Sequence, residues 1–296
     1  MMRLLLFGAS GMLGQALTNE AKLRDYEVIT VSRRHGERRA DITDDHSIRQ
    51  IINDTRPDLI INAAASVNLK ECSDNPGYAY AVNARSVGIM ANMSRLVDSY
   101  FVHISTDHYF TGHGAEKHNE TRQVDLVNEY ARTKYAGEAF ALTNPTSLVV
   151  RTNIVGFRGY EDSMTFVEWV IDSLQKQRKI TMFDDYFTSS IDVRNFSAIL
   201  FDMIITKASG VWNIASSEVS SKKTFIEALA KSLEYRLDEA EDGSVDHIKD
   251  GIDRAESLGL DVARAESRVG YAFPDLQGVI SSLKNDFIEK RLAGHE

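Results

Sequence analysis

The chain has 296 residues, 43% of them hydrophobic, enough to bury a large core as one domain or two closely joined ones. Its 34 Lys and Arg against 43 Asp and Glu give a net charge of −9, which excludes a general electrostatic pull toward nucleic acid or anionic lipid. A single cysteine, Cys72, excludes an intrachain disulfide, and no apolar run is long enough for a signal peptide or a membrane span, so a soluble cytoplasmic protein is expected.

Short apolar runs alternate with helical patterns through the first half. The spacing predicts strands at Arg3–Phe7, Glu27–Ser32, Leu59–Asn62, Phe101–Ser105 and Ser147–Arg151, with helices near Met12–Leu23, Asp45–Thr55, Tyr78–Ser99 and Glu129–Leu142 between them. Strands of near-continuous apolar content are buried on both faces, which implies an α/β fold with a doubly wound parallel sheet of the Rossmann type. After Arg151 the rhythm changes. Helices are expected near Met164–Gln177, Val193–Ile205, Lys222–Leu233 and Asp275–Ile288, and strands at Ile180–Met182 and Val211–Ile214. The acidic stretch Asp238–Asp242 reads as a solvated loop. The expected organisation is a dinucleotide-binding domain over 1–155, to which the strand near 211–214 returns. Residues 156–296 then form mainly a smaller, interleaved α/β substrate lobe.

Gly8, Ala9, Ser10, Gly11, Met12, Leu13 and Gly14 follow the first strand directly and open the first helix. Glycine lets the main chain approach a ligand closely, and a helix N-terminus offers free N–H groups and a positive dipole end to a pyrophosphate. The motif alone is weak; its place at the first strand–turn–helix of an α/β pattern makes a dinucleotide site the stronger reading than a bare turn. The second strand ends Ser32-Arg33-Arg34. An NAD-preferring site carries an acid there for the ribose 2′-hydroxyl, whereas a guanidinium suits a 2′-phosphate. NADPH is therefore expected, with NADH a lesser alternative, although Arg33 and Arg34 also suit a solvated basic loop over Arg33–Arg39. Asp41 and Ile42 are placed to bond and cover the adenine, although Asp41 also suits a cap or turn.

Tyr130 and Lys134 stand four apart and share one face of a helix. A nearby ammonium favours a phenolate, so a Tyr–Lys pair suits proton donation to a carbonyl oxygen as hydride arrives at its carbon. Chance alone produces such pairs on surface helices. Here the pair follows a glycine turn of the right type and lies downstream of the fourth strand, which ends His103-Ile104-Ser105-Thr106-Asp107-His108. A hydroxyl at a strand's C-terminal end can bond the same carbonyl oxygen, with Thr106 the first choice and Ser105 the second.

Together Gly8–Gly14, Asn62-Ala63-Ala64-Ala65, Ser105-Thr106-Asp107 and Tyr130/Lys134 resemble the extended short-chain dehydrogenase/reductases, and within them the dTDP-4-dehydrorhamnose reductase group. The similarity is specific to about residue 155 and thinner beyond, through Arg151-Thr152-Asn153, Phe183-Asp184-Asp185 and Arg254. The resemblance implies NADPH-dependent reduction of a nucleotide-activated 4-keto-6-deoxy sugar, for cell-surface polysaccharide or deoxysugar synthesis. It implies a Thr106/Tyr130/Lys134 triad, Ala63, Ala64 and Ala65 along the cofactor, and Asn83 supporting the site. It also implies Val67, Thr106, His108, Tyr130, Asn153 and Arg254 toward the substrate, with Arg254 at its diphosphate, although Arg254 also suits a surface salt bridge. A homodimer is common in the group.

Departures fall on the sugar side. His108 and Ile154 stand where the group has Tyr and Trp, Ala131 replaces a Gly, and Asp184–Ile191 lacks the usual Gly-x-Pro-Thr. A GDP-, UDP- or CDP-linked ketosugar therefore suits the chain as well as a dTDP-linked one. A sugar 4,6-dehydratase would carry an acid in place of His108. An epimerase-reductase would carry a cysteine near Thr106, whereas Cys72 is expected in a loop after the third strand. The Arg33-Arg34 pair argues against a 4-epimerase, which usually retains NAD, and the intact triad argues against a non-catalytic NADP-binding regulatory subunit or sensor. His103, His108, His113 and His118 match no metal-site spacing. His103 reads as a core residue.

Overall fold

The computed structural model describes residues 1–160 and 163–293. Its strands are β1 (Arg3–Phe7), β2 (Glu27–Ser32), β3 (Arg38–Arg39), β4 (Leu59–Asn62), β5 (Tyr100–Ile104), β6 (Lys117–His118), β7 (Leu148–Arg151), β8 (Ile154–Val155), β9 (Ile180–Phe183), β10 (Phe187–Thr188), β11 (Ile191–Asp192), β12 (Gly210–Asn213), β13 (Ser220–Ser221), β14 (Ala240–Gly243) and β15 (Ser257–Leu260). The α-helices are α1 (Met12–Leu23), α2 (Asp45–Thr55), α3 (Leu69–Asp74), α4 (Pro76–Tyr80), α5 (Ser86–Leu96), α6 (Glu129–Ala141), α7 (Phe166–Gln175), α8 (Val193–Ile205), α9 (Lys222–Ser232), α10 (Ala263–Val269) and α11 (Leu276–Ala293).

Seven parallel strands form the central sheet in the order β12-β7-β5-β4-β1-β2-β3. The order reverses on either side of β1, so the carboxyl ends of β1 and β4 open a crevice where such sheets hold ligands. Leu4, Leu5, Leu6 and Phe7 are fully buried, as are Leu59, Ile60 and Ile61. One set of side chains packs under α1 and α8, the other under α2 and α5, which is the two-sided burial their unbroken hydrophobicity implies. β12 adds to one edge of this sheet through pairing with β7.

A second, four-stranded sheet runs β13-β10-β15-β6. It draws three strands from the C-terminal half and one, Lys117–His118, from between Thr106 and Tyr130. α9 follows β13 directly, and the loop before β15 meets the start of α6, where the Asn128 amide donates to the Asp253 carbonyl at 2.9 Å.

Three expectations need correction. Residues 240–243 are not a loop but a strand paired in parallel with β9. Their acids stay at the surface, where Glu241 meets Lys179 at 2.8 Å and Asp242 meets Lys223 at 2.7 Å. The long helix expected over Tyr78–Ser99 is interrupted by a π-helical turn at Ala81–Arg85, which leaves Asn83 buried and its amide free for other partners. Cys72 lies in α3 rather than a loop, buried against Ala79 and Tyr130. Six residues are too few for that helix to leave a periodic signal.

Candidate active site

The glycine turn sits in the crevice between β1 and β4. Gly8 has φ +83°, and a Cβ there would lie 2.6 Å from the Ala64 nitrogen. A Cβ on Gly14 would lie 2.2 Å from the Gly8 carbonyl oxygen. Both positions need glycine, one for its backbone angle and both for space. Gly11 precedes α1 and supplies no side-chain cap, so the first turn presents its N–H groups outward. Ser10, Met12 and Leu13 complete the turn, with Leu13 packed into the core. The loop Ala63–Ala65 runs beside Gly8, held by Asn62, whose Oδ1 accepts from the Ala64 N–H at 3.2 Å.

Ser32 is buried at the end of β2 and accepts from the His35 N–H at 3.0 Å, so its hydroxyl shapes the turn that follows. Arg33 and Arg34 stand exposed beyond it, and Arg33 donates to the Tyr78 hydroxyl at 3.3 Å. Asp41 accepts from both the N–H and hydroxyl of Thr43 at 2.8 Å. The structure thus gives Asp41 a turn role, with Ile42 partly buried beside it.

Thr106, Tyr130 and Lys134 are brought together and buried. Asn128 caps α6 by accepting from the Ala131 N–H at 2.9 Å, and its amide donates to the Asp253 carbonyl at 2.9 Å. Tyr130 therefore stands in the first turn of a helix fixed at its start. The Lys134 ammonium donates to the Ile104 carbonyl at 2.7 Å, which ties the middle of the helix to the end of β5. Burial drops Lys134 to about 8, opposed by Glu138 one turn further on. The phenol is pushed up from its ordinary value, chiefly by burial, against the pull of the Thr106 hydroxyl. The expectation that Lys134 lowers the phenol is corrected here: the ammonium is itself desolvated and spent on a carbonyl, and burial of the phenol prevails.

Behind Thr106 lies a buried brace. Arg151, at the end of β7, donates from Nε and Nη2 to the Glu138 carboxylate at 3.0 and 2.8 Å. Glu138 also accepts from the Ser105 hydroxyl at 2.6 Å, and the Arg151 guanidinium lies 5.1 Å from the Tyr109 ring centre. Ser105, the second choice for the reacting hydroxyl, is occupied by this brace. Asn83 has a similar use. It accepts from the Ser66 N–H at 2.9 Å and donates to the Ser66 carbonyl and the Thr133 hydroxyl, joining the loop after β4 to α6.

The sugar-facing residues divide. The His108 ring meets Tyr130 edge to face at 5.4 Å, and its Nδ1 is buried without a partner among the described residues. Burial and the charges of Lys222 and Arg254 hold it neutral, down to about 4. Asn153 is directed inward, donating to Asp107 at 2.8 Å and accepting from Ser190 at 2.7 Å. Arg254 is paired with Asp250 and donates to the Ile252 carbonyl at 3.0 Å. Val67 is exposed. Sequence reasoning missed Asp107, Tyr186 and Lys222. Burial raises Asp107 to about 7, with its Asn153 bond and the Lys222 charge opposing. Burial raises the Tyr186 phenol, and Asp107, Arg254 and Tyr130 all act on it. The one available signal was Lys222 at a helix start, where the dipole disfavours a cation.

Residues 2–287 match the family described as the RmlD substrate binding domain. The chain is 26% identical to a probable low-salt glycan biosynthesis reductase of Haloferax volcanii, over 95% of this chain and 96% of that protein. It is 36% identical to the dTDP-4-dehydrorhamnose reductase of Mycolicibacterium smegmatis, over 54% of this chain and 48% of that one. The dTDP-4-dehydrorhamnose reductase of Bacillus anthracis, solved in complex with NADP, superposes with a TM-score of 0.87 at 24% identity, covering 97% of this chain and 99% of that chain.

Proposed function

Since the chain belongs to the RmlD substrate binding domain family, we propose that it is an NADPH-dependent oxidoreductase that reduces the keto group of a nucleotide-activated 4-keto-6-deoxy sugar. Relatives named for reduction of dTDP-4-dehydrorhamnose, for glycan synthesis and for spore coat polysaccharide synthesis support a biosynthetic setting of that kind. The observation that carries the reading is the convergence of Thr106, Tyr130 and Lys134 at the carboxyl end of β5, beside a turn that admits only glycine at Gly8 and Gly14.

The donor set fits a dinucleotide phosphate. A side chain at Gly8 or Gly14 would strike the backbone of the turn, so the turn stays tight; the first turn of α1 is uncapped, and two exposed guanidinium groups follow β2. Gly8–Gly14 would hold the pyrophosphate, Ala63–Ala65 the adjacent edge, and Arg33 with Arg34 the 2′-phosphate. When bound, the cofactor supplies the hydride. Tyr130 gives its proton to the carbonyl oxygen, which Thr106 steadies as negative charge develops. Because burial keeps the phenol protonated, it enters the step as the acid. Lys134 holds α6, and with it the Tyr130 phenol, to the end of β5. Arg254 and His108 lie toward the sugar nucleotide. Homodimerisation and a cytoplasmic location are carried into the proposal from the family resemblance.

The test is NADPH oxidation with 4-keto-6-deoxy sugars linked to dTDP, GDP, UDP and CDP, after a thermal-shift screen of the four nucleotides with NADP. Turnover with one of them is expected; binding without turnover across the set would sink the reading. A second expectation concerns cofactor choice. Replacing Arg33 and Arg34 together by Ala removes the charge-assisted bonds to the 2′-phosphate, and should weaken NADPH by roughly tenfold or more while NADH changes little. Steady-state kinetics with both cofactors measure it, and an equal loss for the two would place the arginines elsewhere.

A further inference from the structure

Lys222 is the first residue of α9, behind the capping residue Ser221. A cation there opposes the helix dipole. Its backbone N–H donates to the Tyr186 carbonyl at 2.9 Å beside the β10–β13 pairing, so its position is fixed by the small sheet. The ammonium lies 4.4 Å from the Phe166 ring centre and 5.9 Å from that of Phe225. Among the described residues it has no hydrogen-bonding acceptor, and burial lowers it to about 8 with only the charge of Asp107 opposing. Two aromatic faces stabilise the charge of this partly buried side chain but offer its N–H donors no oxygen of their own.

Its neighbours say which part of a substrate it meets. The charge acts on Asp107, which is bonded to Thr106 and Asn153, and on His108, which packs on Tyr130. Arg254 also acts on His108, but its own partner is Asp250 in the loop before β15. Lys222 thus lies toward the reacting centre, whereas Arg254 is held on a carboxylate.

We propose that Lys222 is a substrate-contacting residue whose ammonium donates hydrogen bonds to oxygen substituents of the hexose, so that the small lobe selects the substrate by its sugar. This rests on the reductase reading above. In an acidic chain, a cation kept free of carboxylates at contact distance is available to an incoming oxygen. A methyl group or hydrogen at the same sugar position would leave it unpaired, which penalises the wrong sugar more than it rewards the right one.

The test uses Lys222→Met, which keeps the stem packed on Phe166, and Lys222→Arg, which keeps the charge. Melting temperatures identify any folding loss. With NADP present, calorimetry compares dTDP, GDP, UDP and CDP with the glucose conjugate of each, and kinetics follow with the ketosugar that turns over. Lys222→Met should weaken the conjugate, and raise KM, by roughly tenfold to a hundredfold, with the free nucleoside diphosphate and NADPH within about twofold of the parent. Lys222→Arg should recover part of the loss. Conjugate affinity unchanged in Lys222→Met overturns the proposal, and so does an equal loss with and without the sugar, which would make Lys222 a phosphate contact. A parent that binds conjugates without turning any over defeats the reductase reading alone and leaves the Lys222 comparison readable. A parent that binds none defeats both.

Discussion

Tyr130→Phe should lower kcat by roughly 10²–10⁴-fold while NADPH affinity stays near the parent value. The ring is buried against Cys72 and Ala79 and meets His108 edge to face, so losing one oxygen leaves the packing in place. What disappears is the only proton of that ring able to reach a carbonyl oxygen. The loss should fall on kcat and kcat/KM together, because the interaction strengthens only as the alkoxide forms. Fluorescence titration of NADPH beside steady-state kinetics separates the two. A mutant that keeps a tenth of parental turnover would mean that another acid serves, with Asp107, raised by burial to about 7, the nearest candidate.

The second large effect is on stability. Arg151→Met leaves the Glu138 carboxylate buried with the Ser105 hydroxyl but without its cation. Removing one partner of a buried pair costs about 3–5 kcal/mol, far more than the pair itself contributes over a hydrophobic replacement. The melting temperature should fall by on the order of 10 °C. Replacing both, Arg151→Met with Glu138→Leu, should return much of that loss, since no charge is then stranded. Activity in the double variant remains lower than in the parent if the brace positions the strand end that carries Thr106. Denaturant unfolding of the parent, both single variants and the double variant gives the coupling directly. A single variant that unfolds with the parent would overturn this expectation.

The large sheet was legible because its strands are buried on both faces, which leaves unbroken apolar runs such as Leu4–Phe7 and Leu59–Ile61 between helices of ordinary length. Gly8–Gly14 and Tyr130/Lys134 were legible because each is a local pattern whose chemistry depends on sequence spacing. The small sheet was not. Its strands β6, β10 and β13 are two residues long, below any period, and β6 pairs with a strand more than a hundred positions away. The π-helical turn was hidden because one inserted residue barely disturbs the helical pattern while redirecting Asn83. Lys222 and Tyr186 reach the site only through that small sheet, so their role depends on pairing that no short window of sequence contains.

The two-residue strand Lys117–His118 pairs with Gly259 and Leu260, and the His118 ring bonds the Ser257 carbonyl at 2.9 Å. The C-terminal lobe is therefore stitched through the stretch of chain that links the Thr106 hydroxyl to the Tyr130 phenol. It cannot be exchanged as a cassette: a graft of everything past residue 155 would keep β15 beside β10 but mismatch it with β6, and loosen the span between the two reacting groups. New sugar preferences in this scaffold are more readily reached by single replacements on an intact frame than by recombination of halves.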